Sequence, residues 1–116
     1  MSAEIFQIHD ENEFIDRVLG AKYPVLVGFF APYCDACASV CSRTEQILED
    51  KHEKIYLAKV NIADHYDLCQ KCDIKAGPVL AIASNGDLQK KLSGVHETEE
   101  IKKFIEEGGV CEPYKN

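Results

Sequence analysis

The sequence predicts an α/β domain in which a central mixed sheet carries helices on both faces. Three observations predict it. Pro24–Ala31 is apolar on both sides of the chain, the pattern of a central strand covered above and below. Strand and helix patterns alternate from the N-terminus as βαβαβα, and the order closes with ββα. A Cys-x-x-Cys, Cys34-Asp35-Ala36-Cys37, stands where the buried strand hands over to a helix.

The elements follow in order. Glu4–His9 reads as a short strand. Asp10 or Asn12 supplies an N-cap for a helix whose apolar face is Phe14, Ile15, Val18 and Leu19, and Gly20 ends it. After the buried strand comes a helix with Cys37, Val40, Cys41, Thr44, Ile47 and Leu48 on one stripe. Ile55–Ile62 is a second two-sided strand, interrupted by Lys59 and Asn61, and a short helix is expected over Asp64–Lys71. Pro78–Ala83 reads as a strand, Ser84-Asn85-Gly86-Asp87 as a hairpin turn, and Leu88–Leu92 as the alternating return. Thr98 is expected to cap a last helix with Ile101, Phe104 and Ile105 facing inward. Residues 1–116 read as a single domain, with 108–116 as a loose tail that opens on Gly108-Gly109.

At 116 residues the chain has the length of one domain, and such a domain buries roughly two thirds of its unfolded surface. A net charge of −7 excludes nucleic acid, whose phosphates demand a basic patch, and an anionic membrane surface as partners. The longest apolar run falls far short of the about 20 residues of a membrane span. The first residues also lack a basic stretch followed by an apolar one. The expectation is a cytoplasmic monomer.

Six cysteines in this chain are too few for a disulfide scaffold, and in a reducing compartment such cysteines serve catalysis or metal binding more often than structure. The placement of Cys34 and Cys37 favours redox chemistry. Residues i and i+3 of a helix share a face, so the two sulfurs can come within disulfide reach. Cys34 stands at the helix N-terminus, where unpaired N–H groups and the macrodipole favour a thiolate. Cys37 lies one turn in, more buried, and suited to resolving a mixed disulfide. A lone Cys-x-x-Cys could equally be half of a zinc site; the strand before it and the helix after it favour redox.

These residues resemble the thioredoxin family. Val25 to Cys37 looks like that family's central strand and active-site segment, and Ala58-Lys59-Val60-Asn61-Ile62 like its third strand. Ile74-Lys75-Ala76-Gly77-Pro78-Val79 is similar to the stretch that carries its cis-proline, and Asn85-Gly86 and Ser93-Gly94 fall at its hairpin turn and strand exit. The resemblance covers nearly the whole chain and implies the thioredoxin fold. It also implies a cis Pro78 beside the sulfurs, with Gly77 and Pro78 pairing to a substrate backbone. Tyr33 takes the place of the usual tryptophan and would form an apolar rim.

Four departures from the family pattern stand out. Asp35-Ala36 replaces the usual Gly-Pro, so a negative charge opposes the helix dipole beside Cys34. The raw repulsion at about 6 Å and an effective dielectric of 20 is roughly 3 kcal/mol, and exposure cuts it to about 1 kcal/mol or less. The pair is therefore expected to be a strong reductant, at or below the roughly −270 mV typical of thioredoxin. Gly28 stands where the family buries an aspartate behind the second cysteine. Lys59, which normally accompanies that acid, is then expected to have no acid partner, to turn toward water or to shift its pKa downward. The helix proline is absent, with Ser42 near its place, and Ala38 replaces a lysine.

Cys41 reads as a small core residue. His65, Cys69 and Cys72 share a helix face, and the resemblance places the end of that helix near the active-site rim. Three readings of Cys69 and Cys72 stay open: a second redox pair, a metal half-site completed by Cys34 and Cys37, or plain packing. Cys111 sits in the polar tail.

The leading expectation is a protein-disulfide reductase needing no organic cofactor and no metal. Cys34 attacks, Cys37 resolves, and Asp35, Ala36, Lys59 and Gly28 tune the pair. Its partners would be disulfide-containing client proteins and an electron donor of the thioredoxin-reductase type. The other reading is a redox sensor or metal-binding module that uses both cysteine pairs without turnover. A glutathione-binding protein is disfavoured, because the segment is acidic and apolar where basic residues would be needed.

Overall fold

Burial on both faces selects the central strand, and in the structure, a computed structural model describing residues 4–50 and 55–109, that strand is β2 (Val25–Phe30). On one side β2 pairs in parallel with β3 (Tyr56–Asn61), and on the other it runs antiparallel to β4 (Val79–Ser84). β1 (Glu4–Gln7) extends the parallel side and β5 (Asp87–Ser93) the antiparallel side, for a mixed sheet of order β1-β3-β2-β4-β5. The register sets Gly28 opposite Lys59 on β3 and opposite Leu80 on β4.

Side chains alternate across a strand, so β2 feeds two cores. Val25, Val27 and Phe29 pack with Phe14, Val18, Leu68 and Cys69, which belong to α1 (Glu11–Phe14 and the π-helical turns Ile15–Leu19) and α3 (Tyr66–Lys71). Leu26 faces the other way, against Val40, Ile47, Leu48, Ile101 and Ile105 of α2 (Asp35–Glu49) and α4 (Thr98–Glu107). Helices therefore cover both faces of a mixed sheet. This is the architecture the sequence predicts.

Three local details follow from hydrogen bonding. Asp10 caps α1 by accepting the Glu13 N–H at 2.8 Å. The helix then ends in a wide turn in which the Gly20 N–H reaches the Ile15 carbonyl at 2.8 Å. The wider turn shifts the phase, and Ile15, expected to face inward, is 46% exposed. The cap of α4 is Glu97 rather than Thr98: the Glu97 N–H donates to the Glu100 carboxylate at 3.2 Å, and Thr98 is the first helical residue. At the β4–β5 hairpin Asn85 and Gly86 both have positive φ, 57° and 84°, as a two-residue type I′ turn requires.

Among the described residues no helix is long and apolar enough to cross a membrane. α4 ends at Gly108. Cys111 and most of the expected loose tail lie outside the described residues, as do the first three residues.

Candidate dithiol site

β2 ends at Phe30, and the segment Ala31-Pro32-Tyr33 carries the chain to the start of α2. Tyr33 adopts a φ of 55°, in the left-handed region, and the residue is fully exposed. Cys34 is the N-cap of α2. Its Sγ accepts the Cys37 N–H at 3.1 Å, in the way a capping oxygen would, and its carbonyl accepts the Ala38 N–H at 3.0 Å. Asp35, exposed, and Ala36, half-buried, form the first turn.

The two sulfurs differ in setting. Cys34 is half-buried, whereas Cys37 is only 2% exposed and its Sγ accepts the Ala31 N–H at 3.4 Å. The Sγ atoms lie 2.6 Å apart, and both residues are free thiols. Burial pushes the Cys37 thiol pKa up, because the charged thiolate loses water there.

A second segment closes on the pair. The Gly77–Pro78 peptide is cis, Pro78 is buried, and its carbonyl accepts the Gly94 N–H at 2.9 Å. A Cβ added at Gly77 would stand 2.8 Å from Ile62 Cδ1, 2.9 Å from the Phe29 carbonyl oxygen and 3.3 Å from Cys37 Sγ. Only a glycine lets the backbone before Pro78 lie directly against the buried sulfur.

Behind the pair the structure corrects the sequence reading of Lys59. A side chain at Gly28 would run into the ring of Phe30, whose Cε2 lies 2.4 Å from where a Cβ would be. The space an acid would occupy there is filled by an aromatic ring. Lys59, level with Gly28 on β3, instead pairs with Glu45 of α2 at 3.0 Å, Nζ to Oε2. Its pKa is raised, not lowered: burial pulls it down, but the hydrogen bond that Lys59 donates to Glu45 and the charges of Cys41 and Glu45 outweigh that. The same Glu45 oxygen accepts the Cys41 thiol at 3.4 Å. Cys41 is half-buried on the edge of the stripe, and burial raises its pKa as well. Glu45 was not singled out in the sequence, although it stands four residues after Cys41 and so on the same helix face.

Cys69 and Cys72 are not at this site. Cys69 lies in the core beside Leu68, while Cys72 is half-buried in a groove with Phe14, Leu68, Leu88 and Lys91. Ile62, ahead of α3, is what packs against Gly77; the far end of the helix points toward the hairpin rather than to the rim. Burial raises both pKa values, and Cys72, with the added charge of Cys69, is pushed up to about 11. His65 is engaged with the Ile8 carbonyl at 3.1 Å. Among the described residues no three His, Cys, Asp or Glu side chains come together as a metal site, so the four-thiol reading has no geometry behind it.

A dithiol with one accessible and one buried sulfur, at the head of a helix and beside a proline, defines the class of thiol–disulfide exchange folds. Comparison with known proteins narrows the class. The family model described as Thioredoxin matches residues 5–107, and the chain belongs to the thioredoxin family. It is 34% identical over 100 residues to "Thioredoxin, mitochondrial" of Bos taurus, covering 86% of this chain and 60% of that protein. It is 30% identical over 107 residues to "Thioredoxin C-2" of Corynebacterium nephridii, covering 92% and 98%. The chain thus spans about 60% of the length of the mitochondrial relatives it matches. The solved structure of Malassezia sympodialis thioredoxin (Mala s 13) superposes with a TM-score of 0.79 at 20% identity, over 90% of each chain, and shares the fold.

Proposed function

We propose that this protein is a protein-disulfide reductase acting by dithiol–disulfide exchange through Cys34 and Cys37. The observation that carries the reading is the asymmetric sulfur pair, half-buried Cys34 and buried Cys37, held 2.6 Å apart at the head of α2. Family membership supports it.

Cys34 Sγ attacks one sulfur of a client disulfide, and the client's other sulfur leaves as a thiolate. Cys37 then attacks Cys34 Sγ, forms the Cys34–Cys37 disulfide and releases the second client thiolate. Two electrons pass from the cysteine pair to the client, and an external dithiol reductase of the thioredoxin-reductase type restores the pair. The exposed ring of Tyr33 contacts the client, and the backbone around Gly77 and Pro78 receives an extended client segment next to the sulfurs. Asp35, Ala36, Gly28 and Lys59 set the redox properties of the pair. We place the protein in the cytoplasm as a monomeric single domain.

Insulin reduction by dithiothreitol tests the reading. The wild type accelerates precipitation of the insulin B chain and Cys34→Ser does not. A wild type no faster than dithiothreitol alone overturns it.

A further inference from the structure

Resolution of the mixed disulfide asks a buried thiol to give up a proton. Cys37 is 2% exposed, and β2 offers it no acid or base, because Gly28 has no side chain and the Phe30 ring fills the space beside it. Helix α2 offers something else. Cys37, Cys41 and Glu45 are spaced four residues apart, so their side chains follow one another down a single face. Cys41 Sγ is 3.4 Å from Glu45 Oε2, and Lys59 Nζ holds that same oxygen at 3.0 Å. The groups acting most strongly on Cys41 and Lys59, beyond burial, are each other and Glu45. At about 1.5 Å per residue the stripe carries charge about 12 Å from Cys37 toward the far turns of the helix. There, Glu45 and Lys59 are each about a third exposed, with side-chain exposures of 33% and 28%. A cleft of about 170 Å³ lined by Phe30, Ala31, Pro32, Lys59 and Asn61 brings solvent to the lysine, and Ala31 is the residue whose N–H meets Cys37 Sγ.

We infer that Glu45 is the proton acceptor for the resolving step, acting on Cys37 through Cys41, with Lys59 holding its carboxylate in place. The inference rests on the dithiol reading above and specifies it. As Cys37 attacks Cys34 Sγ, its proton passes to Cys41 and the Cys41 proton passes to Glu45. The Cys34–Cys37 bond forms, the Cys34–client bond breaks, and the client sulfur leaves with the electron pair. Lys59, against both Cys41 and Glu45, balances the negative charge while it moves along the stripe. Glu45 acts on Cys37 through Cys41, and neither touches the client. Among the described residues, the titratable groups along this face are Cys34 at the cap of α2, Cys37, Cys41 and Glu45 on α2 and Lys59 on β3, while β2 carries no titratable side chain.

One equivalent of 5,5′-dithiobis(2-nitrobenzoate) separates the two steps. The first thionitrobenzoate is released when Cys34 attacks, the second when Cys37 resolves. In Glu45→Gln the first release keeps its rate and the second slows roughly tenfold at neutral pH, less than the loss of a directly acting base. Glu45→Asp recovers part of that rate. Cys41→Ala slows the second release in the same way and, as a small apolar replacement, carries the test if Glu45→Gln does not fold. A second release within twofold of wild type across pH 5–8, in either variant, overturns the relay. A wild type that gives no first release contradicts the dithiol reading itself, so the two failures are distinguishable.

Discussion

At Tyr33 the chain holds an aromatic ring wholly in solvent, on a backbone with φ of 55° that bulky residues rarely adopt. Such a ring contributes nothing to packing and is free to cover a client. Tyr33→Ser is therefore expected to leave the urea unfolding free energy within about 0.5 kcal/mol of wild type. The same change lowers kcat/KM for insulin reduction severalfold. Asp35, the first residue of α2, is proposed to act through charge instead. An anion there disfavours the reduced pair, so Asp35→Asn raises the reduction potential, measured against glutathione, by about 10–20 mV. An unchanged or lower potential contradicts this role. Cys72 gives a pH prediction. Its pKa is raised by burial from 9.0 to about 11, so the fold favours the protonated thiol. That contribution is complete below pH 9 and is lost as pH rises toward 11. The alkaline loss of stability should be shallower in Cys72→Ala, as chemical denaturation between pH 8 and 11 would show.

Among the elements, those defined by local rules were legible in the sequence. β2 declared itself by an apolar run, the hairpin by Asn85-Gly86, and α2 by a stripe that returns every third or fourth residue. Gly86 has a φ of 84°, so Gly86→Ala costs about 1–2 kcal/mol, readable as a lower urea midpoint at unchanged slope. Details that depend on how elements meet were hidden. The phase of α1 changed at its π-helical end, which no count of apolar residues reveals, and Ile15 turned outward. The acid beside Lys59 could not be read from β2 or β3 because it comes from α2, across the face that both strands present. Half of that signal is nonetheless local: Cys37, Cys41 and Glu45 share a helix face. The far end of α3, which the resemblance places near the rim, points toward the hairpin for a related reason, since its direction depends on how the helix meets the sheet.

At the scale of the whole molecule, one central strand serves two cores and delivers the dithiol at its end. Phe29 is fully buried, one residue before the end of β2, and its carbonyl oxygen lies where a side chain at Gly77 would clash. Packing and site geometry are thus joined at the same place. Phe29→Ala removes a large core side chain and is expected to cost about 3–5 kcal/mol. It should lower disulfide exchange further than the fraction unfolded explains, as parallel denaturation and activity curves would show. Everything functional follows from unequal access to two neighbouring sulfurs, and mass spectrometry of trapped intermediates reads that inequality directly. With a disulfide-bonded client, Cys37→Ser should accumulate a covalent adduct on Cys34, and Cys34→Ser should accumulate none. Adducts on Cys37 in Cys34→Ser at equal yield, or on Cys72 in either variant, would contradict the account.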